Sequence, residues 1–373
     1  MATSELPLAP FDQALTGLVI AGETNIQNRE NPVSALAGVL PVLEAADLRF
    51  LHLEGPLCEP SEDPADPDIP HKERWRHSHP DMVRALTDAG IDAVSCASNV
   101  SYPQTAALRS AQVLRQAGVA FAGVGETRAA ARRPAIFRHG DLRIGVLSFT
   151  TVFWPSRHAA DRDTPGTAVI RAGTAYRPGR RALEMPGAPP EVVTWVEPAD
   201  AEELQAEIRA LKQETDIAIL SCHWGVSSSP EPTDYQRQLA RLAIDAGIDI
   251  VVGHHPHVIQ PIEFHNGKPI FYSLGNFAFD WPKMHDRHKD GLMLRFDFDG
   301  SERCRIRLVP VMRDADNQVT PLSLSSADGA RIVARLKELS GDAITLTENA
   351  LDLTLSDPAD AARPKPDLAL ESL

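Results

Sequence analysis

Apolar positions along this chain fall into short blocks of two kinds. The first kind is a run of seven to ten residues, rich in Val, Ile, Leu and Ala, closed by glycine or a polar residue. Such runs occupy 15–23 (LTGLVIAGE), 48–55 (LRFLHLEG), 91–99 (IDAVSCASN), 119–125 (VAFAGVG), 142–150 (LRIGVLSFT), 216–225 (DIAILSCHWG) and 248–255 (IDIVVGHH). Their length and sharp ends predict buried strands. The second kind has apolar residues at helical spacing. It appears at 32–47, with Pro41 as a break point, and at 80–90, 105–118, 199–214 and 234–247. Near the end, 268–280 (KPIFYSLGNFAFD) and 291–311 read as antiparallel strands, followed by a helix at 329–339 and a Pro- and Asp-rich tail.

Strands alternating with helices, then paired strands, predict a layered α/β fold. No Pro- or Gly-rich boundary divides the pattern into two cores. One domain is therefore expected over 15–315, with a partly helical C-terminal extension over 316–373. Two stretches lack periodicity. Residues 58–80 are rich in proline and charge, and 151–198 in Arg, Pro and Gly. Long loops of this kind cap sites or move. Arg157, Arg162, Arg177, Arg180 and Arg181 in the second are read either as an anion-attracting lid or as a surface loop.

The 373 residues carry a formal net charge of -14, which argues against nucleic acid as a partner. Cys58, Cys96, Cys222 and Cys304 are widely spaced, with no metal-finger or disulfide pattern. The start has no basic segment leading into an apolar one, and no run reaches the ~18 apolar residues of a membrane span. The expected address is the cytoplasm.

Polar groups recur where the expected strands end. Glu23, Glu54, Ser98 with Asn99, His223, and His254, His255 and His257 each follow such a run. In open α/β sheets the carboxyl ends of parallel strands share one edge, where ligands bind. Carboxylate, amide and imidazole together suit one or two borderline divalent ions such as Mn, Fe or Zn. Singly, Glu23 and Glu54 read equally well as helix caps, and His223 as a satisfied core residue. His71, His77 and His79 lie in charged, proline-rich surroundings that suggest surface or substrate-loop roles.

The text HLEGPL (52–57), HWG (223–225), DAGIDIVVGHHPHVIQPIEF (245–264) and IFYSLGNFAFD (270–280) resembles the CapA family of poly-γ-glutamate and capsule synthesis. That family is similar to the calcineurin-like metallophosphoesterases. The resemblance implies a four-layer αββα sandwich with a metal site at the strand ends. It implies Glu23, Glu54, Asn99, His223, His255 and His257 as metal ligands. Asn276 would shape the site wall, and Lys72 would meet substrate anions. Two positions depart from the family. Glu23 stands where an Asp is usual, and Val100 where a histidine acts as general acid.

Three readings follow. The first is a metal-dependent hydrolase of an ester, amide or phosphate bond, with His254 as candidate acid. The second is a metal-free acid–base enzyme such as a peptide epimerase, using Glu23 or Glu54 with a histidine of the GHHPH stretch. The third is a non-catalytic protein of polymer assembly. The substrate expected is a small molecule, a peptide or an anionic polymer.

Overall fold

The computed structural model describes residues 15–63, 67–70, 72, 74–300, 303–343 and 351–353. The first half contains β1 (Thr16–Asn25), α1 (Leu40–Glu44), β2 (Leu48–Leu53), α2 (Val83–Asp88), β3 (Ala93–Ser95), α3 (Gln104–Ala117) and β4 (Ala120–Ala122). Next come β5 (Val124–Gly125), α4 (Arg128–Ala131), β6 (Ala135–His139), β7 (Leu142–Thr150), β8 (Gly166–Thr167), β9 (Ala172–Arg177) and β10 (Glu191–Val196). The second half runs through α5 (Pro198–Glu214), β11 (Ile217–His223), α6 (Asp234–Ala246), β12 (Ile250–His254), β13 (Ile262–His265), β14 (Lys268–Phe271) and β15 (Asn276–Phe279). It closes with β16 (Asp290–Asp299), β17 (Arg303–Arg313), β18 (Val319–Pro321), α7 (Ala327–Ser340) and β19 (Leu351–Leu353).

Two sheets face each other. The nine-stranded sheet follows the order β18-β17-β16-β1-β2-β3-β4, with β15 also on β1 and β19 on β17. Strands β1 to β4 run parallel, and β16 to β18 return antiparallel. The six-stranded sheet has the order β13-β14-β12-β11-β7-β6, parallel in its centre.

Side-chain alternation sorts the core into layers. Leu18, Ile20, Leu48 and Phe50 of one sheet meet Ile144, Val146, Ile217, Ile219, Ile250 and Val252 of the other. Val19, Leu51 and Val94, which point to the opposite face of the same sheet, pack against α1, α2 and α3. Ala218, Leu220, Cys222 and Val251 face α5 and α6. The expected helix–sheet–sheet–helix arrangement is therefore present. Truncating one of the large buried side chains, such as Phe50, costs about 3–5 kcal/mol by the usual cavity penalty.

Several elements differ from the expectation. Pro41 does not break a helix. It sits in the first turn of α1, where the missing N–H leaves no bond unmade, and two short 3-10 segments fill the stretch before it. KPIFYSLGNFAFD divides between sheets. Strand β14 pairs with β12 in parallel and with β13 antiparallel, while β15 crosses to lie parallel to β1. The stretch 151–198 holds the β9–β10 hairpin. Its Thr194 hydroxyl accepts from the Tyr235 amide at 3.0 Å, and its Val196 amide donates to Gln238 at 2.9 Å, so it lies along α6. Arg177 there pairs with Glu191 at 3.0 Å. Beyond residue 315, β18 extends the larger sheet, and α7 adds Ile332, Val333 and Leu336 to the layer between the sheets. The expected tail from residue 354 lies outside the described residues, as does His71. Cys96 and Cys222 are buried core residues with free thiols.

Candidate functional site

On the faces that meet between the sheets, each central strand is apolar for most of its length and turns polar near its carboxyl end. Leu48 and Phe50 are followed at the same two-residue step by His52 and Glu54. Ile217 and Ile219 are followed by Ser221 and His223, and Ile250 and Val252 by His254. The layer between the sheets thus ends in a polar floor, and all of these polar residues are buried.

Glu23, Glu54 and His257 form the centre. One ligand atom from each lies within 4.8 Å of the others. Nδ1 of His257 approaches Glu23 Oε2 to 2.5 Å and Glu54 Oε2 to 3.8 Å, and His223 Nε2 lies 3.8 Å from Glu54 Oε1. The amide of His255 donates to Glu23 Oε1. Asn276 Oδ1 meets His257 Nδ1 at 3.0 Å, while its Nδ2 donates to the His288 carbonyl at 3.0 Å. His255 and His257 both have left-handed backbones, at φ 92° and 59°, a strain typical of functional loops.

Close backbone approaches make this convergence feasible. A Cβ at Gly22 would stand 2.5 Å from the Gly275 carbonyl, so a larger residue would push the loop before β15 away from Glu23. At Gly253 a Cβ would stand 2.0 Å from the Tyr272 carbonyl, directly before His254.

The imidazoles form a row. His254 stacks on His52 at 4.3 Å between centroids; His52 is 5.4 Å from His223, His223 4.6 Å from His255, and His255 6.0 Å from His257. His254 thus stands at the far end, against His52 and away from the carboxylates, which does not favour it as the acid. His52 was not anticipated as a site residue. The signal was available, since it lies two residues before Glu54 within a strand and so shares its face. Its Nδ1 meets Ser95 Oγ at 2.9 Å, and Ser221 of the opposite sheet donates to Ser95 at 2.8 Å.

Burial dominates the electrostatics. It pushes the Glu23 carboxyl up to about 7. Burial, and then the neighbouring Glu23, holds Glu54 well above the ordinary carboxyl range. The imidazoles move the other way: burial drives His52, His223 and His255 well below their usual value and His254 down to about 3. His257 is also lowered by burial, with Glu54 opposing. Among the described residues, both Glu54 oxygens, Glu23 Oε2, His223 Nε2, His255 Nδ1 and Asn99 Oδ1 are buried without a partner in hydrogen-bonding geometry.

Lys72 stands over this centre. Its Nζ lies 4.7 Å from the ring centroids of both Trp75 and Trp281, and burial lowers its pKa against the pull of Glu54 and Glu23. Val100 is fully buried with Ile69 and Trp75, so the position holds an apolar contact. Trp154 Nε1 donates to the Asn99 carbonyl at 3.0 Å, and His158 Nε2 meets the Ser98 carbonyl at 3.0 Å. These two residues, not the arginines, bring the 151–198 stretch to the site. His77 is buried, contrary to a surface role, whereas His79 is partly exposed beside Glu59 and Asp81.

Comparison with known proteins places the chain. The family model described as bacterial capsule synthesis protein PGA_cap matches residues 14–281, and the chain belongs to that family. It is 44% identical over 116 residues to the PGA biosynthesis protein CapA of Bacillus subtilis, covering 31% of this chain and 30% of that one. It is 25% identical over 290 residues to the capsule biosynthesis protein CapA of Bacillus anthracis, covering 77% and 63%. A probable polyglutamine synthesis accessory protein of Mycobacterium tuberculosis is 31% identical over 225 residues, covering 58% and 53%. The chain thus spans between under a third and about two thirds of the curated relatives it matches. A solved structure titled as a novel phosphatase of Mycoplasma pneumoniae aligns with TM-score 0.42 and 12% identity, covering 82% of this chain and 90% of that one.

Proposed function

We propose that this member of the capsule synthesis family is a divalent-metal-dependent hydrolase of an ester, amide or phosphate bond in capsule or polyglutamate metabolism. The observation that carries the reading is the set of unpartnered donor atoms on Glu23, Glu54, His223 and His255. Buried polar atoms without partners are costly, and a cation satisfies carboxylates and imidazoles together. The donor set therefore fits Mn, Fe or Zn. Glu23, Glu54 and His257 would hold an ion, with His223 beside Glu54 and His255 next to His223; Asn99, from the turn after β3, would add its amide oxygen. Such an ion, when bound, polarises the scissile group and makes water a stronger nucleophile.

The chain's own residues supply positioning and charge. The His255 amide fixes Glu23, and Asn276 orients the His257 ring. Lys72, held between two indoles, offers an ammonium to an anionic part of a small-molecule, peptide or polymer substrate. Valine at 100 gives up a general acid that is typically worth ~10²–10⁴ in rate. Substrates with good leaving groups, which need little protonation, are therefore favoured. The test is metal analysis of the purified protein, with hydrolysis of aryl ester, aryl phosphate and γ-glutamyl anilide substrates before and after chelation. Bound metal and chelator-sensitive turnover are expected. Metal-free protein with no turnover defeats the reading.

One observation favours a second reading, a metal-free acid–base enzyme. The Glu23 carboxyl, pushed up to about 7, lies in the range that suits a general base. Deuterium entering a peptide Cα from heavy water in chelator-treated protein would support it over hydrolysis.

A further inference from the structure

A groove of about 360 Å³ runs from His257 outward between the loop 228–230, the segment 288–290 and α7. His257, a member of the carboxylate–imidazole centre, is also one of its lining residues, so the groove adjoins that centre. Ser228, His257 and His288 all line it and all have left-handed backbones, at φ 65°, 59° and 48°. Ser228 Oγ and His288 Nε2 tie two of its walls together at 2.8 Å.

Its charge is uneven. The acidic member, Asp290, is turned to a two-pronged bond with Arg331 at 2.5 and 2.8 Å. Among the described residues, the ion-pair partners of the cations Lys289 and Arg335 are exposed. Lys289 is 3.9 Å from the fully exposed Asp286, and Arg335 pairs with Glu338 one helical turn away at 2.7 Å. Exposed pairs of this kind contribute little and exchange readily for another anion. In a chain of net charge -14, the groove keeps two exchangeable cations beside the reactive centre.

The wall is held firmly. Arg313 is fully buried and donates to the carbonyls of Phe279, Met284 and Arg287 at 3.0, 2.7 and 2.9 Å, fixing the segment that ends in His288 and Lys289. His288, Lys289 and Arg335 all lie beyond residue 281, where the family match ends. Recognition here thus comes from a part of the chain outside the matched region.

We propose that this groove is a recognition subsite for an anionic group, carboxylate or phosphate, of the substrate, with Lys289 and Arg335 as its cationic contacts. The proposal rests on the hydrolase reading for what happens at the adjoining centre, but anion binding itself is separable from it.

The experiment is calorimetric titration of the full chain with triglutamate and with phosphoserine at low salt. The variants are Lys289→Glu, Arg335→Glu and the pair together, with the remote exposed Arg138→Glu as control. Wild type is expected to bind one of the probes, which identifies the anion as carboxylate or phosphate. The paired reversal should weaken that binding about tenfold or more, the loss expected for charge-assisted contacts, while Arg138→Glu leaves it unchanged. Unchanged affinity in the paired variant, or no binding of either probe by wild type, overturns the proposal. Metal is measured in the same samples. A metal-free wild type that turns over no substrate yet binds through the groove removes the hydrolase reading and leaves the subsite standing; a metal-holding protein with chelator-sensitive turnover that is indifferent to the groove variants does the reverse.

Discussion

Nδ1 of His257 lies 2.5 Å from Oε2 of Glu23, joining the loop after β12 to the end of β1 across the seam between the two sheets. Glu54, directly after β2, completes the triangle, and among the described residues the two carboxylates are approached by His257 and His223, whose imidazoles burial holds toward the neutral form. A group of this composition is poorly stable alone and well suited to a divalent ion.

Glu54→Gln keeps shape and removes one of two adjacent buried carboxylates. Without metal, the variant should be as stable as wild type or more so by about 1–2 kcal/mol, because folding no longer has to bury, and so neutralise, a carboxyl that is ionised in the unfolded chain. Saturating Mn or Zn should raise the melting temperature of wild type, since an ion that binds only the folded state stabilises it. The variant should show no such rise. Thermal melts with and without chelator, together with metal analysis, check both outcomes.

The pH dependence of the metal-free protein follows from opposed shifts. His52, His223, His254, His255 and His257 have folded values below the ordinary 6.5. Their contribution is therefore present above 6.5 and is lost as pH falls. Glu23, raised from 4.5 to about 7, and Glu54, also raised well above its ordinary value by burial, contribute stability at low pH that is lost as pH rises through the folded values. Each group titrating in one state only changes stability by about 1.4 kcal/mol per pH unit. The five imidazoles outnumber the two carboxyls below 6.5, so stability should peak near that pH and fall more steeply on the acid side. Urea midpoints across pH 4–9 in chelator test this. Bound metal should flatten the alkaline limb, because it takes the ionised carboxylates.

Val100→His restores the residue type expected of a general acid, yet it should not restore activity. Val100 is fully buried with Ile69 and Trp75, and a buried imidazole without a partner costs about 1–3 kcal/mol. The expected result is a less stable protein with no gain in aryl phosphate hydrolysis. A gain of tenfold or more would show that the pocket accepts the proton donor.

Arg313→Met removes the guanidinium that holds the carbonyls of Phe279, Met284 and Arg287. Hydrogen bonds from charged donors are worth about 1.5–3 kcal/mol each, although neighbouring losses do not add fully. A destabilisation of about 3 kcal/mol is expected, with faster tryptic cleavage at Lys283 and Arg287 under native conditions. Unchanged cleavage would mean that the 280–289 segment is held by other contacts, such as the Arg29–Asp280 pair at 2.6 Å.

Much of this architecture was legible in the sequence, for reasons that particular residues show. The runs 48–55 and 216–225 are apolar and end abruptly in Glu54 and His223, so their strand character and polar tips are visible locally. The hairpin at 172–196 is not legible in the sequence because both of its strands are largely exposed and mixed in character, with no buried face to set a period. Strand β15 escaped assignment to the larger sheet because periodicity reports which face a residue takes, not which strand lies alongside. His52 is legible only through its two-residue offset from Glu54, which puts it on the same face of β2.

Alternation and run length are local properties of a chain, and they suffice to put carboxylates, an amide and imidazoles at the carboxyl ends of buried strands. That Glu23 meets His257, that His254 turns away to His52, that Lys72 is clasped by Trp75 and Trp281, and that α7 supplies one wall of the groove beside His257 emerges only in the folded chain. Those contacts depend on sheet order and on where long loops return, which the packing of the whole chain sets.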